Sequence, residues 1–307
     1  MSNFPRALLL ASCFAMTACS AAAGPGDDTE SSDETARSII GGTKATAYPE
    51  SALVDMKQGG QIVASCSGSI IAPRVVLTAG HCVHGFSGWN VTAPFANSQK
   101  ASTTSAATYD WNNDTEYVNP NQHDIGLIFL NSDITLSSYP KISSAGLASG
   151  TKIVNIGRIH DGQFSSSSLY VSSPIGITGG KSYGFPYDYV ATEVIESGDS
   201  GGPDMLPGAA PHTIVAVNSG AGGGTEVLAR VDLVYQWIQN QIAAHASASP
   251  PSNGSGGSTG SGGSGCGAVT YEGECQGNTV VWCDGGLHSI KCGTCGWDAK
   301  NGFYNCL

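Results

Sequence analysis

A serine, a histidine and an aspartate each lie in a segment whose composition suits catalysis. Ser200 lies in the string Gly-Asp-Ser-Gly-Gly-Pro at 198–203, where small neighbours allow a tight, exposed turn. His81 follows the β-type run at 75–78, and Asp124 precedes an apolar run. A serine hydroxyl becomes nucleophilic when a neutral imidazole takes its proton, and a buried carboxylate orients that imidazole. The three residues predict acyl transfer, with Ser200 as nucleophile, His81 as general base and Asp124 as the orienting group.

The strings around these residues resemble those of the chymotrypsin/trypsin family of serine endopeptidases. Thr-Ala-Gly-His-Cys at 78–82 precedes Asp124, and Ser200 comes last, which is one of the known orders of the three groups. The resemblance covers residues 39–245. It implies an all-β fold of two six-stranded antiparallel β-barrels with a C-terminal helix, and a site in the cleft between them. The many short β-type runs by themselves favour either a sandwich or barrels.

The resemblance also assigns further roles at the site. The N–H groups of Gly198 and Ser200 form the oxyanion hole, and a disulfide joins Cys66 to Cys82 and fixes the neighbouring histidine. At Gly80 the family more often has alanine. This chemistry needs no metal and no organic cofactor, and its substrates are proteins or peptides.

The segment beginning at Ile39 resembles the mature N-terminus of the family. The resemblance implies that the α-ammonium of Ile39 pairs with Asp199 after cleavage, so that the chain is made as a zymogen and needs an activating protease. Cleavage after Arg37 would leave Ser38 as the first residue, one position too early. Either the activating enzyme cuts after Ser38, or trimming follows a cut at Arg37.

The specificity pocket departs from the family pattern. Counting back from the nucleophile places Val194 at the pocket base with Ile195 beside it, and Gly220 on the opposite wall. The family's pocket disulfide is absent, because Glu196 stands at one of its cysteine positions. Glu226 has two alternatives: if it enters the pocket, basic side chains are accepted, and if it points to solvent, an apolar preference follows. We expect the apolar preference.

Composition divides the 307 residues into five parts. The formal net charge is -11 and basic residues are not clustered, so nucleic acid is not an expected partner. The predicted parts are a signal peptide at 1–23, an acidic prosegment at 24–38, the protease domain at 39–245, a Gly/Ser-rich linker at 246–265 and a cysteine-rich module at 266–307.

The predicted location is outside the cytoplasm. Arg6 precedes a short apolar run and small residues, as in an export signal. We expect a secreted protein, with lipid anchoring through Cys19 as the alternative. Eight of the 10 cysteines lie beyond the signal, two in the protease domain and six in the module.

Six cysteines in a short module predict three disulfides, whose connectivity is open. The module is rich in aromatic residues, which suit either its own core or a surface, glycan or protein ligand. The alternative to an enzyme is therefore a catalytically silent protease fold, a binding protein or adhesin whose C-terminal module does the binding.

Overall fold

The structure, a computed structural model, describes residues 42–112, 118–245, 269, 273–283, 287–298 and 303–306. The predicted signal peptide, prosegment and linker, together with Cys19 and Ile39, lie outside these ranges. In the described part of the chain, no helix has both the length and the apolar character to cross a bilayer.

The first barrel is a sheet of seven strands in the order β6-β5-β2-β3-β4-β8-β7. A short strand, β1, precedes it in the chain but pairs with the second barrel. A 3₁₀ turn at Gly80–Cys82 follows β4 directly. The strands are β1 (Thr43–Lys44), β2 (Ser51–Gln58), β3 (Gln61–Ala72), β4 (Val75–Thr78), β5 (Gly88–Ala93), β6 (Gln99–Thr103), β7 (Ala106–Thr108) and β8 (Gly126–Phe129).

The second barrel is built on a sheet of ten strands that includes β1. Its other strands are β9 (Lys141–Ile142), β10 (Lys152–Gly157), β13 (Tyr170–Val171), β14 (Ile175–Gly176), β15 (Thr178–Gly179), β16 (Asp188–Thr192), β17 (Pro203–Met205), β18 (Thr213–Gly222) and β19 (Thr225–Arg230). A hairpin of β11 (Ile159–His160) and β12 (Gln163–Phe164) leaves it after β10, and a 3₁₀ turn lies at Gly180–Tyr183. All pairs are antiparallel except β9 with β18. The expected two-barrel fold is confirmed, with short flanking strands added.

The two barrels share one hydrophobic core. In β4, Val75 and Leu77 face this shared core, whereas Val76 faces the interior of the first barrel. Strand β8 repeats the alternation, as expected from the two-residue period of a strand. Both faces of these strands are therefore covered by protein, which explains why their sequences are continuously apolar.

A helix closes the shared core over the range where the apolar spacing predicts one. A 3₁₀ turn at Asp232–Val234 leads into α1 (Tyr235–His245). Val234 and Ile238 are buried in the shared core, with Trp237 and Ile242 packed against it. The helix thereby joins residues of both barrels into one packing unit.

The C-terminal module has a three-stranded sheet and a separate hairpin. The sheet holds β20 (Glu274–Gln276), β21 (Thr279–Cys283) and β22 (Leu287–Lys291), and the hairpin holds β23 (Cys295–Asp298) and β24 (Phe303–Cys306). Disulfides join Cys275 to Cys295 and Cys292 to Cys306. These bridges agree with the predicted disulfide-rich module.

Candidate active site

His81 and Asp124 meet at the edge of the first barrel. Strand β4 delivers His81 into the 3₁₀ turn, and Asp124 lies two residues before β8 begins at Gly126. The backbone N–H of His81 donates to Asp124 Oδ1 at 2.8 Å, and Nδ1 of the ring lies 2.7 Å from Oδ2. A disulfide from Cys66 on β3 to Cys82 holds the turn in place. The imidazole is therefore fixed at two points of one carboxylate.

Ser219 completes the environment of this carboxylate, and sequence reasoning missed its role. Its hydroxyl donates to Asp124 Oδ2 at 2.6 Å from strand β18 of the second barrel. No sequence signal marked it as a partner of Asp124, although its neighbour Gly220 was expected on the pocket wall. Three donors from two barrels thus satisfy a carboxylate that is 1% exposed.

The pKa of His81 reflects two opposing effects. Burial alone lowers it, because burial disfavours the imidazolium. The nearby Asp124 charge and its hydrogen bond favour the imidazolium and outweigh burial, so that the pKa of His81 is raised above its ordinary value. Stabilising this cation is what a general base needs when it takes a proton from a hydroxyl.

Gly80, where the family more often has alanine, is explained by Trp111. A Cβ at Gly80 would lie 2.7 Å from Trp111 Cβ and 3.1 Å from Asp124 Oδ1. Trp111 is 2% exposed, and its ring centroid lies 6.2 Å from that of His81. The indole fills the space that an alanine methyl would need, and it packs beside the ring of His81.

The neighbour of Asp124 forms a second histidine–aspartate pair. The N–H of His123 donates to Asp110 Oδ1 at 2.8 Å, and its Nδ1 lies 2.8 Å from Oδ2. The His123 ring stacks on Tyr187 with centroids 4.2 Å apart. These contacts fix the backbone on the N-terminal side of Asp124, so His123 has a positioning role here.

The loop that carries Ser200 is hydrogen-bonded to strand β3 of the first barrel. The N–H of Ser67 donates to the carbonyl of Ser200 at 2.8 Å, and the Ser67 hydroxyl donates to the carbonyl of Gly198 at 3.0 Å. Gly201 has φ +76, and a Cβ there would lie 2.0 Å from Thr78 Oγ1. Only glycine allows this approach, which brings Ser200 against the strand that carries His81.

The N–H groups of the nucleophile loop fall into two sets. Those of Asp199, Gly201 and Gly202 donate to backbone carbonyls. Those of Gly198 and Ser200, the predicted oxyanion hole, donate to no described residue. Gly198 adopts φ +114, a conformation that favours glycine. Within the described residues the Ser200 hydroxyl makes no hydrogen bond to the His81 ring, a contact that often tightens only when substrate binds.

Asp199 turns away from the cleft into a buried site. It is 0% exposed, and its carboxylate accepts the N–H groups of Ile159 at 2.8 Å and Glu196 at 2.9 Å. Burial raises its pKa to about 6, although these backbone hydrogen bonds lower it. Its predicted partner, the amine of Ile39, lies outside the described residues.

Three of the predicted pocket residues, Val194, Ile195 and Glu226, are buried in the second barrel. The side chains of Val194 and Ile195 lie in a hydrophobic cluster of the second barrel. Glu226 is 0% exposed, so it does not point to solvent. Its Oε2 accepts the Val194 N–H at 3.0 Å, and Oε1 accepts Asn155 Nδ2 at 3.0 Å. Glu226 is thus held against the backbone of Val194, the residue expected at the pocket base.

A second acid lies behind Glu226. Asn155 Nδ2 also donates to Asp204 Oδ1 at 2.7 Å, and Asp204 is fully buried. Burial first, and the Glu226 charge second, raise the pKa of Asp204 well above its usual range. Burial likewise raises the pKa of Glu226 to about 7. The two acids therefore sit where ionisation of one opposes ionisation of the other.

Gly220 opens a cleft beside the site. A cavity of about 320 Å³ is lined by Val118, Phe185, Thr225 and the Gly220–Gly222 strand. A Cβ at Gly220 would lie 2.7 Å from Val118 Cγ2, so a larger residue would close the gap. Gly220, expected on the opposite wall of the pocket, therefore lines this cavity.

Among the described residues, one group of potential metal ligands clusters, namely Cys66, His81 and Cys82, with ligand atoms within 4.8 Å of one another. The two sulfurs are bonded to each other in the disulfide, so no thiolate is offered to a metal. The cluster therefore consists of His81 and the disulfide that holds its turn in place.

Asp188 is a further buried acid behind the triad. It is 1% exposed, and its Oδ2 has no hydrogen-bond partner among the described residues. Burial first, and the charge of Asp124 second, raise its pKa to about 8, while Arg230 opposes this. Asp188 therefore stays protonated at neutral pH.

We predict that Gly80→Ala lowers both stability and activity, because the new methyl collides with Trp111. Overpacking of this kind costs about 1–3 kcal/mol. Gly80→Ala/Trp111→Ala should lose less activity than the sum of the two single changes in log kcat/KM. Gly179→Ala is the control, since a Cβ there meets nothing within 4 Å. Wild-type activity of Gly80→Ala, or strict additivity of the pair, contradicts the packing explanation.

We predict that stability falls as pH rises from about 5 to 8, in part through Asp188. Its folded pKa of about 8 lies above the unfolded value of about 3.9, so the folded state binds more protons across this window and loses stability as they leave. Urea unfolding of Asp188→Asn should show a shallower fall, by at most about 1.4 kcal/mol per pH unit. Asp161→Asn, whose side chain is 70% exposed, controls for loss of an aspartate. Equal slopes in all three proteins would refute the assignment.

Comparison with known proteins agrees with this geometry. The sequence profile of the trypsin family matches residues 39–238. A chymotrypsin from Phaedon cochleariae is 29% identical over 197 residues, which are 57% of this chain and 71% of that protein.

Solved structures with the same fold include HL collagenase, at a TM-score of 0.55 and 19% identity, covering 66% of this chain and 96% of that one. A scabies mite inactivated protease paralogue aligns at a TM-score of 0.52 and 19% identity, over 65% of this chain and 96% of that one. With His81 paired to Asp124 on a two-barrel fold and a matching profile over most of its length, the chain belongs to the trypsin family.

Proposed function

We propose that the protein is a secreted serine endopeptidase that works through an acyl-enzyme on Ser200. The support is the arrangement of the loop around Ser200: the N–H groups of Gly198 and Ser200 donate to no described residue while those of their neighbours are engaged. Two free donors beside a nucleophile suit a developing oxyanion.

The first half of the reaction forms the acyl-enzyme. Ser200 Oγ attacks the carbonyl carbon of the scissile peptide bond, and its proton passes to Nε2 of His81. The carbonyl oxygen becomes an oxyanion that accepts hydrogen bonds from the N–H groups of Gly198 and Ser200. As the tetrahedral species collapses, the C–N bond breaks, and His81 returns the proton to the leaving amine.

The second half repeats these roles with water. His81 takes a proton from water, the oxygen attacks the acyl carbon, and the ester bond to Ser200 breaks with return of the proton to Oγ. Throughout, Asp124 holds Nδ1 of the imidazole and stabilises the imidazolium. Ser219 contributes by holding Asp124 Oδ2 in place.

The zymogen part of the proposal rests on Asp199. Its carboxylate is buried, with backbone donors and a pKa of about 6. A buried carboxylate of this kind is stabilised by a cation, and the α-ammonium of Ile39 would supply one after cleavage. Export is supported by the signal-like first segment and by the disulfides of both the protease domain and the module.

A serine-directed fluorophosphonate tests the enzyme proposal. We expect intact mass spectrometry to show one adduct on the form that begins at Ile39, and none on Ser200→Ala. His81→Ala should lose labelling as well, because Ser200 is then without its base. If the Ile39 form folds and stays unlabelled, the enzyme proposal fails, and the fold serves as a binding scaffold.

We further propose that Glu226 makes the pocket accept basic side chains, contrary to the apolar preference expected from sequence. The support is its Oε2, which accepts a hydrogen bond from the N–H of Val194, the residue expected at the pocket base. Its pKa of about 7 means that it gains charge as pH rises through neutrality. Asp204 behind it adds a second acid to the same region.

We predict that peptides with Lys or Arg before the scissile bond are cleaved faster than matched Leu or Phe peptides, and that the ratio rises between pH 6 and 8. Glu226→Gln should lower kcat/KM for basic peptides by roughly tenfold or more, with little change for apolar ones. Asp133→Asn, which removes a carboxylate that is 56% exposed, is the control. An apolar preference that Glu226→Gln leaves unchanged would disprove the assignment, while continued fluorophosphonate labelling would leave the enzyme proposal intact.

A further inference from the structure

The side chain of Arg158 is almost completely buried, at 1% exposure. It follows the last residue of β10, in the segment that leads to the β11–β12 hairpin. A buried guanidinium is costly unless its charge is paired and its donors are satisfied. A buried guanidinium must therefore be surrounded by hydrogen-bond acceptors. The positions of these acceptors show which parts of the protein the arginine joins.

The acceptors of Arg158 lie on both sides of the domain cleft. Its Nη1 lies 3.2 Å from Asp55 Oδ1 and 3.2 Å from the carbonyl oxygen of Cys66, both in the first barrel. Its Nε donates to the carbonyl of Ser165 at 3.1 Å, and its guanidinium lies 4.6 Å from the ring centroid of Phe164. Arg158 therefore ties the loop after β10 to strands β2 and β3.

The hydrogen bond from Arg158 to the Cys66 carbonyl is linked to Ser200 through one peptide unit. The carbonyl of Cys66 and the N–H of Ser67 belong to one peptide unit, and that N–H donates to the carbonyl of Ser200 at 2.8 Å. A guanidinium on the carbonyl polarises the peptide and strengthens the hydrogen bond that its N–H donates. A continuous chain thus runs from Arg158 through one peptide to the backbone of Ser200.

Two more contacts join Arg158 and Ile159 to the oxyanion loop. A Cβ at Gly198 would lie 3.5 Å from Arg158 Cγ, so the stem of the arginine packs against this glycine. The N–H of Ile159, the next residue, donates to Asp199 Oδ1 at 2.8 Å. Burial lowers the pKa of Arg158, while the charges of Asp55 and Asp199 oppose this, so both carboxylates act on the guanidinium.

We propose that Arg158 is a positioning residue for catalysis, which holds the Ser200 backbone and the oxyanion-hole glycine in register with the first barrel. Its side chain bonds the peptide whose N–H holds the Ser200 carbonyl and lies beside Gly198, and that peptide begins at the cysteine whose disulfide supports His81. Arg158 acts through these groups and needs no contact with substrate. The role rests on the proposed protease activity.

The test compares Arg158→Met and Arg158→Lys with Arg230→Met. Arg230 is the matched control, because it also pairs with a carboxylate, Asp232, and lies over an aromatic ring, Tyr189, in the same barrel. Kinetics would use a peptide substrate and the fluorophosphonate, with the melting temperature measured for each variant. A slight misplacement of reacting groups costs up to about 100-fold in rate.

We expect Arg158→Met to lower kcat and the labelling rate by roughly 10–100-fold with KM nearly unchanged, and Arg158→Lys to recover part of the loss. Arg230→Met should change the melting temperature without this selective loss of kcat. Amide exchange at Ser67, read by NMR, should be faster in Arg158→Met, and this readout requires no activity.

Several outcomes would overturn the inference. Wild-type kcat in Arg158→Met, or kcat losses in both arginine variants that simply follow their melting temperatures, would make Arg158 a structural residue only. If Arg158→Met does not fold, Arg158→Lys decides, since full activity there contradicts the need for the guanidinium. Absence of labelling in the wild type defeats the proposed function, and unchanged exchange at Ser67 then defeats this inference separately.

Discussion

The buried carboxylate of Asp124 is the constraint around which the site is built. A carboxylate at 1% exposure must be satisfied by donors, and it receives them from the His81 N–H and ring on one barrel and from the Ser219 hydroxyl on the other. The donors can converge only if the barrels are docked, which the shared core beneath them ensures. Packing between the barrels therefore positions the imidazole of His81 on this carboxylate.

The nucleophile is held by the same interface, but through backbone groups. Ser67 and Thr78 on the first barrel bind or pack against the loop that carries Ser200, and Gly201 lets them approach. His81 and the loop that carries Ser200 are therefore both held by the same two strands, β3 and β4. A disturbance of either strand would move both groups together, which keeps their relative geometry.

The parts of the site that could be read from the sequence are those whose chemistry demands particular residues in short contiguous strings. His81, Asp124 and Ser200 belong to such strings, as do Cys66 and Cys82. The short β-runs predicted a β-rich fold, and only the family resemblance selected two barrels. Continuous apolar runs such as 125–130 mark strands covered on both faces, and β8 has that environment.

The remaining contacts join residues far apart in the chain, so no local pattern marks them. Ser219 is one serine among many until β18 is placed beside Asp124. The sequence shows that Gly80 stands where the family more often has alanine. The reason is a tertiary contact with Trp111, which lies 31 residues further along the chain. Arg158 is an isolated arginine whose importance shows only in its burial.

The second barrel keeps four buried acids whose pKa values are raised by burial, namely Asp188, Asp199, Asp204 and Glu226. Each opposes folding when it ionises, so packing alone does not account for their retention. Two of them lie where the proposed function brings a cation: the Ile39 ammonium at Asp199 and a basic substrate side chain at Glu226. A carboxyl that is poorly stabilised until a cation arrives gains more from that cation than a surface carboxylate would, because its desolvation has already occurred. On this reasoning the buried acids weaken the resting fold and strengthen the activated, substrate-bound state, a trade expected at functional sites.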